Sequence, residues 1–304
     1  MATGNSRILC GVESVWGDGG GANPTAIVLR RTNFKVDPSR PELTSEEMRP
    51  DPFRAPSRMG ATEIKGEFGF EVVPGAHDEI MAAILHNVWA GNLLKAGIDF
   101  VPRSLFLEHR TFEQHILYTG VALEKVTLTF EVNGLVKASG SFLAKERMEH
   151  SESVVDDPDI TDSPDTLAAA NWDGIFKIDN MPSSCMTSLT LDISRTVNLR
   201  TVLGQKYPSS AHASRFDVTG SMTIRPSDTS WWQKFHNESR INLDVTIFGV
   251  PTSYSYRLSL PKLLLTSAPE DLSNPDDLLI DIPFAAEVDA ISGVPMFITR
   301  TKPN

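Results

Sequence analysis

Histidine, cysteine and carboxylate side chains are the groups of this chain that could carry out chemistry, and their spacing decides whether they do. A zinc protease needs two histidines four positions apart on one helix face, and no histidine pair here has that spacing. His109 and His115 flank a predicted strand turn, which favours a structural role over a pair of metal ligands. The seven histidines are His77, His86, His109, His115, His150, His212 and His236. They therefore predict no metal site.

Nucleophiles and phosphate loops are not indicated either. Ser183-Ser184-Cys185 has no local partner that marks a nucleophile, and no Gly-x-Ser-x-Gly turn occurs. The glycine run at 17–21 lacks the Lys-Ser/Thr pair of a phosphate loop, so we interpret it as a flexible loop. Cys10 is distant from Cys185, and two such thiols form neither a disulfide framework nor a zinc site. The sequence thus predicts no enzyme, and no catalytic, cofactor-binding or metal-binding residues.

The composition argues against several further classes of protein. The chain has 304 residues and a formal net charge of -11, whereas a protein that clamps nucleic acid normally has a basic face. It contains no apolar run of the ~18 residues that a membrane-spanning helix needs. The polar segment at 1–7 is not followed by the apolar core of a signal peptide. We therefore expect a protein that folds in a cytoplasm and buries a large core.

The elements that would position any site occur twice along the chain. Residues 66–74 form a glycine-led alternating strand that ends at a proline, and the helix that follows has Asp78 and Glu79 in its first turn. Residues 220–226 repeat the strand and the proline, before a second helix-like stretch that opens at Asp228. Each half has the order β, arm, β, α, β, β, β. We predict a mainly β fold, sandwich or barrel-like, with one short flanking helix per half and a duplicated domain.

Long segments without a predicted helix or strand interrupt this order. Residues 32–60 contain five prolines, which exclude a helix or a central strand. Their apolar residues favour an arm that docks on a neighbouring molecule, with a mobile loop as the alternative. A shorter counterpart is predicted at 196–213. Residues 149–173 are acidic, lack lysine and arginine, and are interpreted as a solvated linker between a first domain at 1–148 and a second at 174–304.

One hairpin has a register that the sequence predicts. A two-residue loop at Asn133-Gly134 would mix polar and apolar residues on each face of the hairpin. A three-residue loop at 132–134 instead sets Leu128 opposite Ala138 and keeps one face apolar. It also uses Gly134 where a left-handed residue is wanted. We therefore predict the three-residue loop.

Two adjacent tryptophans suggest a different function. Trp231 and Trp232 could form a platform on which a sugar or a base stacks. On an amphipathic helix that covers a sheet, packing in the core is the favoured interpretation of both side chains. A β-sandwich carbohydrate-binding adhesin stays open as an alternative.

Several segments of the chain resemble the tail tube proteins of long-tailed bacteriophages. The shared features are strand patterns rather than catalytic motifs, and together they extend over roughly residues 25–290. The segments are residues 64–72 with the helix that follows, 106–112, 118–128, 140–145, 218–224 and 258–263.

This resemblance implies subunits that form stacked rings around a continuous β-lined channel, with a long loop that reaches the adjoining ring. Residues 32–60 would then be an inter-ring arm. A channel that passes DNA should avoid tight phosphate contacts, which fits the negative charge of the chain. Polar strand faces provide the lumen-facing candidates Glu131, Asp192 and Asp217. The inter-ring arm candidates are Phe34, Arg49, Asp51, Phe53 and Arg54.

The function that the resemblance implies is that of a structural virion protein whose tail tube conducts DNA during ejection. The protein would be located in the virion tail after assembly in the bacterial host cytoplasm. Its partners would be further copies of itself and the tail terminator and tail tip proteins, while the tape-measure protein and DNA pass through the lumen. If each half is a tube domain, three chains form a ring of pseudo-sixfold symmetry; if only one half lines the channel, six are needed. A tail-completion or distal tail protein of the same fold is an alternative.

Overall fold

The chain folds into a mainly β, sandwich-like structure with two short helices, which confirms the predicted fold class. The structure is a computed structural model. It describes residues 7–21, 24–48, 50–51, 53–97, 103–111, 113–156, 160–161, 168, 174–182, 185–249, 254–269 and 279–302.

The described residues before 151 form eleven strands and one helix, which make up the first half. They are β1 (Ile8–Val12), β2 (Ala26–Val28), β3 (Asn33–Ser39), β4 (Glu42–Thr44), β5 (Ser57–Met59), β6 (Glu63–Glu71), α1 (Asp78–Ile84), β7 (Leu93–Lys95), β8 (Leu105–Thr111), β9 (Gln114–Glu131), β10 (Lys137–Ala144) and β11 (Glu146–His150). The later elements are β12 (Ile160–Thr161), β13 (Gly174–Ile178), β14 (Met181–Pro182), β15 (Met186–Arg200), β16 (Ser210–Ile224), α2 (Ser230–His236), β17 (Ile241–Phe248), β18 (Ser255–Leu265), β19 (Ile280–Ala286) and β20 (Phe297–Thr301).

The same antiparallel strand pairings occur in both halves, in the same order along the chain. In the first half β1 pairs with β2 and β8, β6 with β3 and β10, and β9 with β10, β8 and β11. In the second half β13 pairs with β14 and β17, β16 with β15 and β19, and β18 with β19, β17 and β20. The repeat that the sequence pattern predicts is therefore present in the strand topology.

A local irregularity of the sheet is repeated as well. The pairing of β9 with β8 shifts register between Tyr118 and Val121. The pairing of β18 with β17 shifts between Leu260 and Leu263. In both places the longer strand has one residue more than its partner, which defines a β-bulge. A bulge at matching positions is a detail that strand order alone would not require.

The two halves are joined by strand pairing and by a partly buried hydrogen-bond network. The C-terminal part of β9 pairs with β15, so one sheet runs through β3, β6, β10, β9, β15, β16 and β19. The Tyr256 hydroxyl of β18 donates to Asp78 Oδ1 of α1 over 2.5 Å and accepts from the Gly75 N–H over 2.8 Å. Arg300 of β20 forms an ion pair with the same Asp78. Helix α1 of the first half is thus bonded to strands of the second.

One face of the shared sheet forms the core. The side chains that alternate towards this face are apolar and buried, and α1 packs on it against β9 and β15. In α2, Trp231 is buried and Trp232 packs against the same core. The predicted role of these two tryptophans in core packing is confirmed.

The β9–β10 hairpin has the predicted register. Leu128 faces Ala138 across the two strands. The left-handed residue of the loop is Asn133, with φ 61°, and not Gly134, so that detail of the prediction was wrong. Asparagine tolerates this conformation because its short polar side chain can bond locally.

Two segments predicted to be arms contain paired strands. The first part of 32–60 is β3, which pairs with β6, and the rest carries the exposed β4–β5 hairpin. Residues 196–213 are not an arm: β15 and β16 continue as a ladder up to Arg200 opposite Ser210, which leaves only a turn at 201–209. The apolar side chains of Val197 and Leu199 face Ala213 and Ala211 across this ladder and hold it together.

The acidic linker is only partly solvated. Within it, β12 pairs with β2, and the described residues Val155 and Ala168 are buried. The Val136 N–H also donates to the Ala168 carbonyl over 2.9 Å. These parts of 149–173 pack on the first half because they carry apolar side chains among the carboxylates. The division of the chain into two domains stays a prediction.

A buried carboxylate organises the glycine-rich loop at 17–21. The Glu13 side chain accepts backbone hydrogen bonds from Gly17 at 2.8 Å, from Gly19 at 3.1 Å and from Gly120 of β9 at 2.8 Å. The interpretation of this segment as a flexible loop is therefore corrected. Its glycines allow the backbone to wrap around the carboxylate, since several have positive φ.

Candidate functional site: the polar face of the central sheet

The face of the shared sheet that lies opposite the core is polar from β3 across to β16. Successive residues of a strand point to opposite faces, so the residues between the buried ones share this outer face. In β9, Lys125, Thr127, Thr129 and Glu131 alternate with buried apolar residues. The same alternation continues in β15 and β16. This surface, called the polar face below, is the candidate functional site.

The three lumen-facing candidates lie together on the polar face. Residues directly opposite each other on neighbouring strands project from the same side of a sheet. Asp192 of β15 is opposite Thr127, and Glu131 of β9 is opposite Ser188. Asp217 of β16 shares the row of Lys125. The structure therefore brings Glu131, Asp192 and Asp217 onto one surface.

Hydroxyl side chains make up much of the polar face, and the sequence interpretation did not single them out. The signal was present in the alternation of Ser and Thr with buried apolar residues, but its use required the pairing of β9 with β15. These residues are Thr127, Thr129, Ser139, Ser141, Ser188, Thr190, Ser194, Thr219, Ser221 and Thr223. They give the face a neutral, hydrated surface between its charges.

Lys125 and Asp192 form a cross-strand ion pair at the centre of the polar face. Lys125 Nζ lies 3.0 Å from Asp192 Oδ1. The Thr127 hydroxyl donates to the same oxygen over 2.5 Å. The Asp192 carboxylate thereby contacts two side chains of β9, the lysine and the threonine. Because the pair is partly exposed, it contributes little to stability, and its effect is on the charge that the surface presents.

Other cations of the polar face are also next to carboxylates. Lys65 Nζ lies 3.1 Å from Glu63, and Arg215 Nε lies 2.7 Å from Asp217. Lys35 faces Glu67 across β3 and β6, and Lys137 faces Glu71 across β10 and β6. Carboxylates that compete for a lysine or arginine weaken its attraction for the phosphates of nucleic acid.

The inter-ring arm candidates are distributed over two different environments. Phe34 lies in β3, where its ring centroid is 6.1 Å from that of Phe142 and 5.9 Å from that of His109. It is thus part of the sheet rather than of the projecting segment. Arg49 lies outside the described residues.

The remaining candidates lie on the projecting part of the arm. Arg54, three residues before β5, forms an exposed ion pair at 2.5 Å with Glu42 of β4. Asp51 accepts a hydrogen bond from the Phe53 N–H over 3.1 Å, and Phe53 is 74% exposed. Further exposed apolar side chains of this segment are Leu43, Met48 and Met59. So many exposed apolar groups on one hairpin are typical of a docking surface.

Among the described residues, His115 Nδ1 lies 2.7 Å from Glu108 Oε1, and the Ser259 hydroxyl donates to Asp244 Oδ1 over 2.5 Å. No cluster of three or more His, Cys, Asp or Glu residues in the described part of the chain could hold a metal ion. Cys10 is buried, and burial raises the pKa of its thiol to about 12, so it stays protonated at neutral pH. Neither described helix is long and apolar enough to cross a membrane.

A cleft of about 400 Å³ lies where the two halves meet at one end of the sheet. Phe130 and Phe176 line it, together with the polar residues Glu131 and Ser188. Neither Trp231 nor Trp232 is among its lining residues. The tryptophans that suggested glycan binding are therefore not part of this cleft.

Comparison with known proteins agrees with this geometry. The family model of the phage tail tube protein matches residues 3–286, which is nearly the whole chain. No curated protein sequence matches the chain significantly. The family consists of structural proteins of the virion tail, which accords with a repeated β unit that presents a polar face. The chain belongs to the phage tail tube protein family.

Proposed function

We propose that this protein is the ring subunit of a tail tube, and that each half of the chain supplies one wedge of the ring. The observation that carries the proposal is the repeated set of strand pairings, bulge included, in a family that builds tubes. Two equivalent wedges per chain give six wedges in a ring of three chains, with pseudo-sixfold symmetry. A ring of six chains, in which one half lines the channel, is the alternative.

The polar face lines the channel in this proposal. Its opposite face is occupied by the core and by α1, so it is the only side of the shared sheet that the described chain leaves open to solvent across both halves. Glu131, Asp192 and Asp217 would then face the lumen. Lysines held by carboxylates and rows of hydroxyls would let DNA pass with few lasting phosphate contacts.

Stacking of rings is assigned to the arm, defined as residues 40–60. The arm leaves the sheet at Ser39 and returns at Glu63, which are cross-strand partners. The cleft beside Glu131 and Ser188 lies at the opposite end of the shared sheet. Rings stacked in one direction would bring the exposed apolar residues of one arm next to the cleft end of the following ring.

A tail tube role would also determine the partners of the protein and its location. The tube would end at the tail terminator and the tail tip proteins, enclose the tape-measure protein and DNA, and assemble in the bacterial host cytoplasm. A tail-completion or distal tail protein would share the fold but occur in few copies per virion. The adhesin alternative loses its support because Trp231 is 8% exposed.

Electron microscopy of the purified protein and of virions tests the function. We expect concentrated protein to form rings or tubes, and antibodies against the chain to label the tail along its full length. Label confined to one end of the tail would favour a terminal protein, and label absent from the tail would refute the proposal. Glycan binding that is lost in Trp231→Ala, with the fold intact, would favour the adhesin.

A further inference from the structure

The outer edge of β3 is not paired with any strand of the described chain, whereas the equivalent edge of its duplicate, β15, is paired. β3 pairs with β6 on one side, and no other described strand pairs with it. Its counterpart β15 pairs with β16 on the equivalent side and with β9 on the other. An unpaired strand edge is a template on which a further strand can pair. We therefore expect a further strand beside β3. The exposed Lys35 and Asp37 keep the edge soluble until it is covered.

The strand that could cover β3 is identified by the same repeat. β9 pairs with β8 as far as Val121, and from Lys125 onwards it pairs with β15. β18, the counterpart of β9, pairs with β17 up to Leu263. Its continuation at 266–269 is bonded to β19 through Thr266, whose N–H donates to Pro283 over 2.9 Å. On the side away from β19, no described strand pairs with it.

We propose that β3 of one chain pairs antiparallel with residues 266–269, the continuation of β18, in a second copy, and that this junction has the register with which the β9–β15 pairing begins at Lys125 inside the chain. The inference rests on the proposed ring and adds which edges join and in what register. The junction is head to tail, since it uses two different surfaces. Such contacts generate a closed ring when the rotation between copies closes.

The duplicate fixes the register of this junction. The bulge positions make Tyr118 and Val121 of β9 equivalent to Leu260 and Leu263 of β18, an offset of 142 positions. With the same offset, Ser267 after β18 is the equivalent of Lys125 in β9.

The equivalence of positions in β3 and β15 follows from the glycine that each of these strands faces. Val36 is opposite Gly66 and Leu191 is opposite Gly220, so β3 and β15 are offset by 155 positions. Within the chain, Ser194 of β15 faces Lys125. Between two chains, Ser39 of one copy therefore faces Ser267 of the next.

Cysteine cross-linking in assembled rings tests this register. The variant Ser39→Cys/Ser267→Cys is treated with a short thiol-reactive cross-linker and resolved under denaturing conditions. The matched control is Lys35→Cys/Ser267→Cys, because Lys35 lies four residues along β3, about 13 Å away at the usual strand rise. Each single variant carries the native Cys10 and Cys185 and reports any cross-link that these form.

We expect cross-linked species of two and three chains from the Ser39 pair, and little above the single-variant level from the Lys35 pair. Rings without a Ser39–Ser267 cross-link, or with equal cross-linking from Lys35, would overturn the register while the ring function stands. If the unsubstituted chain forms no rings, the proposed function fails and the junction fails with it. Should the double variant itself not assemble, hydrogen exchange of the unsubstituted ring decides: the β3 amides must exchange more slowly in the ring than in the free chain.

Discussion

Phe142 of β10 lies directly over Gly66 of β6, and the two residues are cross-strand partners. A Cβ atom added to Gly66 would lie 2.1 Å from Phe142 Cζ, so only glycine leaves room for the ring. The second half repeats the relationship: Phe284 faces Gly220, where an added Cβ would lie 2.6 Å from the ring. An aromatic ring over a strand glycine shields the exposed backbone. The duplication is thus visible in residues as well as in topology.

Substitution of Gly66 by alanine should destabilise the unassembled chain. The new Cβ must displace the Phe142 ring, which is fully buried in the core. Overpacking of this kind costs about 1–3 kcal/mol of unfolding free energy. Urea unfolding followed by fluorescence measures the change.

Gly134→Ala is the matched control for this substitution. Its added Cβ would meet nothing closer than 3.4 Å, so we expect a change of about 0.5 kcal/mol or less. Adding Phe142→Leu to the Gly66→Ala variant should recover part of the loss, because the smaller side chain makes room. Equal stability of Gly66→Ala and Gly134→Ala would contradict the account of the pair.

The stability of the chain should fall in acid partly because of His77. This histidine is buried, stacks on Phe70 at 4.0 Å and lies close to Arg30, and burial lowers its pKa from 6.5 to about 4. Between pH 6.5 and 4 the unfolded chain binds a proton at this site and the folded chain does not. Its stabilising contribution is therefore complete above pH 6.5 and is lost as the pH falls towards 4, by about 3 kcal/mol in total.

His77→Phe keeps the stacking and removes the titration. We expect it to be less stable than the parent at pH 7.5, because the Val73 N–H loses its acceptor, but to lose less stability on acidification. The exposed His236→Phe controls for the removal of a histidine as such. An unchanged acid slope in His77→Phe would refute the assignment.

Removal of the arm should stop stacking and leave the ring intact. The arm closes on itself at its base, where Gly60 N–H donates to the Pro41 carbonyl over 2.8 Å, so deletion of 41–59 joins neighbouring ends. We expect single rings in place of tubes by electron microscopy. Deletion of 33–59, which also removes β3, should prevent ring closure as well. Tubes of normal length from the shorter deletion would contradict the role of the arm.

Asp192→Asn should make assembled tubes bind duplex DNA more tightly. The substitution keeps the shape of the side chain but leaves Lys125 without its carboxylate partner. Each phosphate contact that a released lysine makes should steepen the salt dependence of binding by about 0.9 in the log–log slope. Fluorescence anisotropy of a short duplex across a salt series measures both quantities.

The control removes the same charge away from the polar face. Asp179→Asn breaks the Asp179–Lys234 pair, which links the β13–β14 turn to α2 at 2.7 Å. Asparagine also suits the left-handed backbone of this residue, φ 51°. If Asp179→Asn tubes bind DNA as Asp192→Asn tubes do, the effect is one of net charge and the polar face does not line the channel.

Local sequence rules predicted part of this fold, and long-range pairing accounts for the rest. The β9–β10 register followed from the tight loop at 132–134 and the alternation on both sides of it. The predicted order has three strands after each helix and therefore lacks β20, whose short strand is defined by its pairing with β18 and β7 rather than by a local pattern. Glu131, Asp192 and Asp217 were chosen from polar strand faces. That they share one surface depends on the β9–β15 register, which no local rule supplies.

The mass of one isolated ring tests the central claim most directly. Three chains of 33.4 kDa give about 100 kDa, and six give about 200 kDa. Native mass spectrometry or mass photometry of rings from the arm-deleted variant, corrected for the deleted residues, separates the two without interference from stacking. A ring of three chains is the result that two wedges per chain predict. A ring of six chains would contradict it.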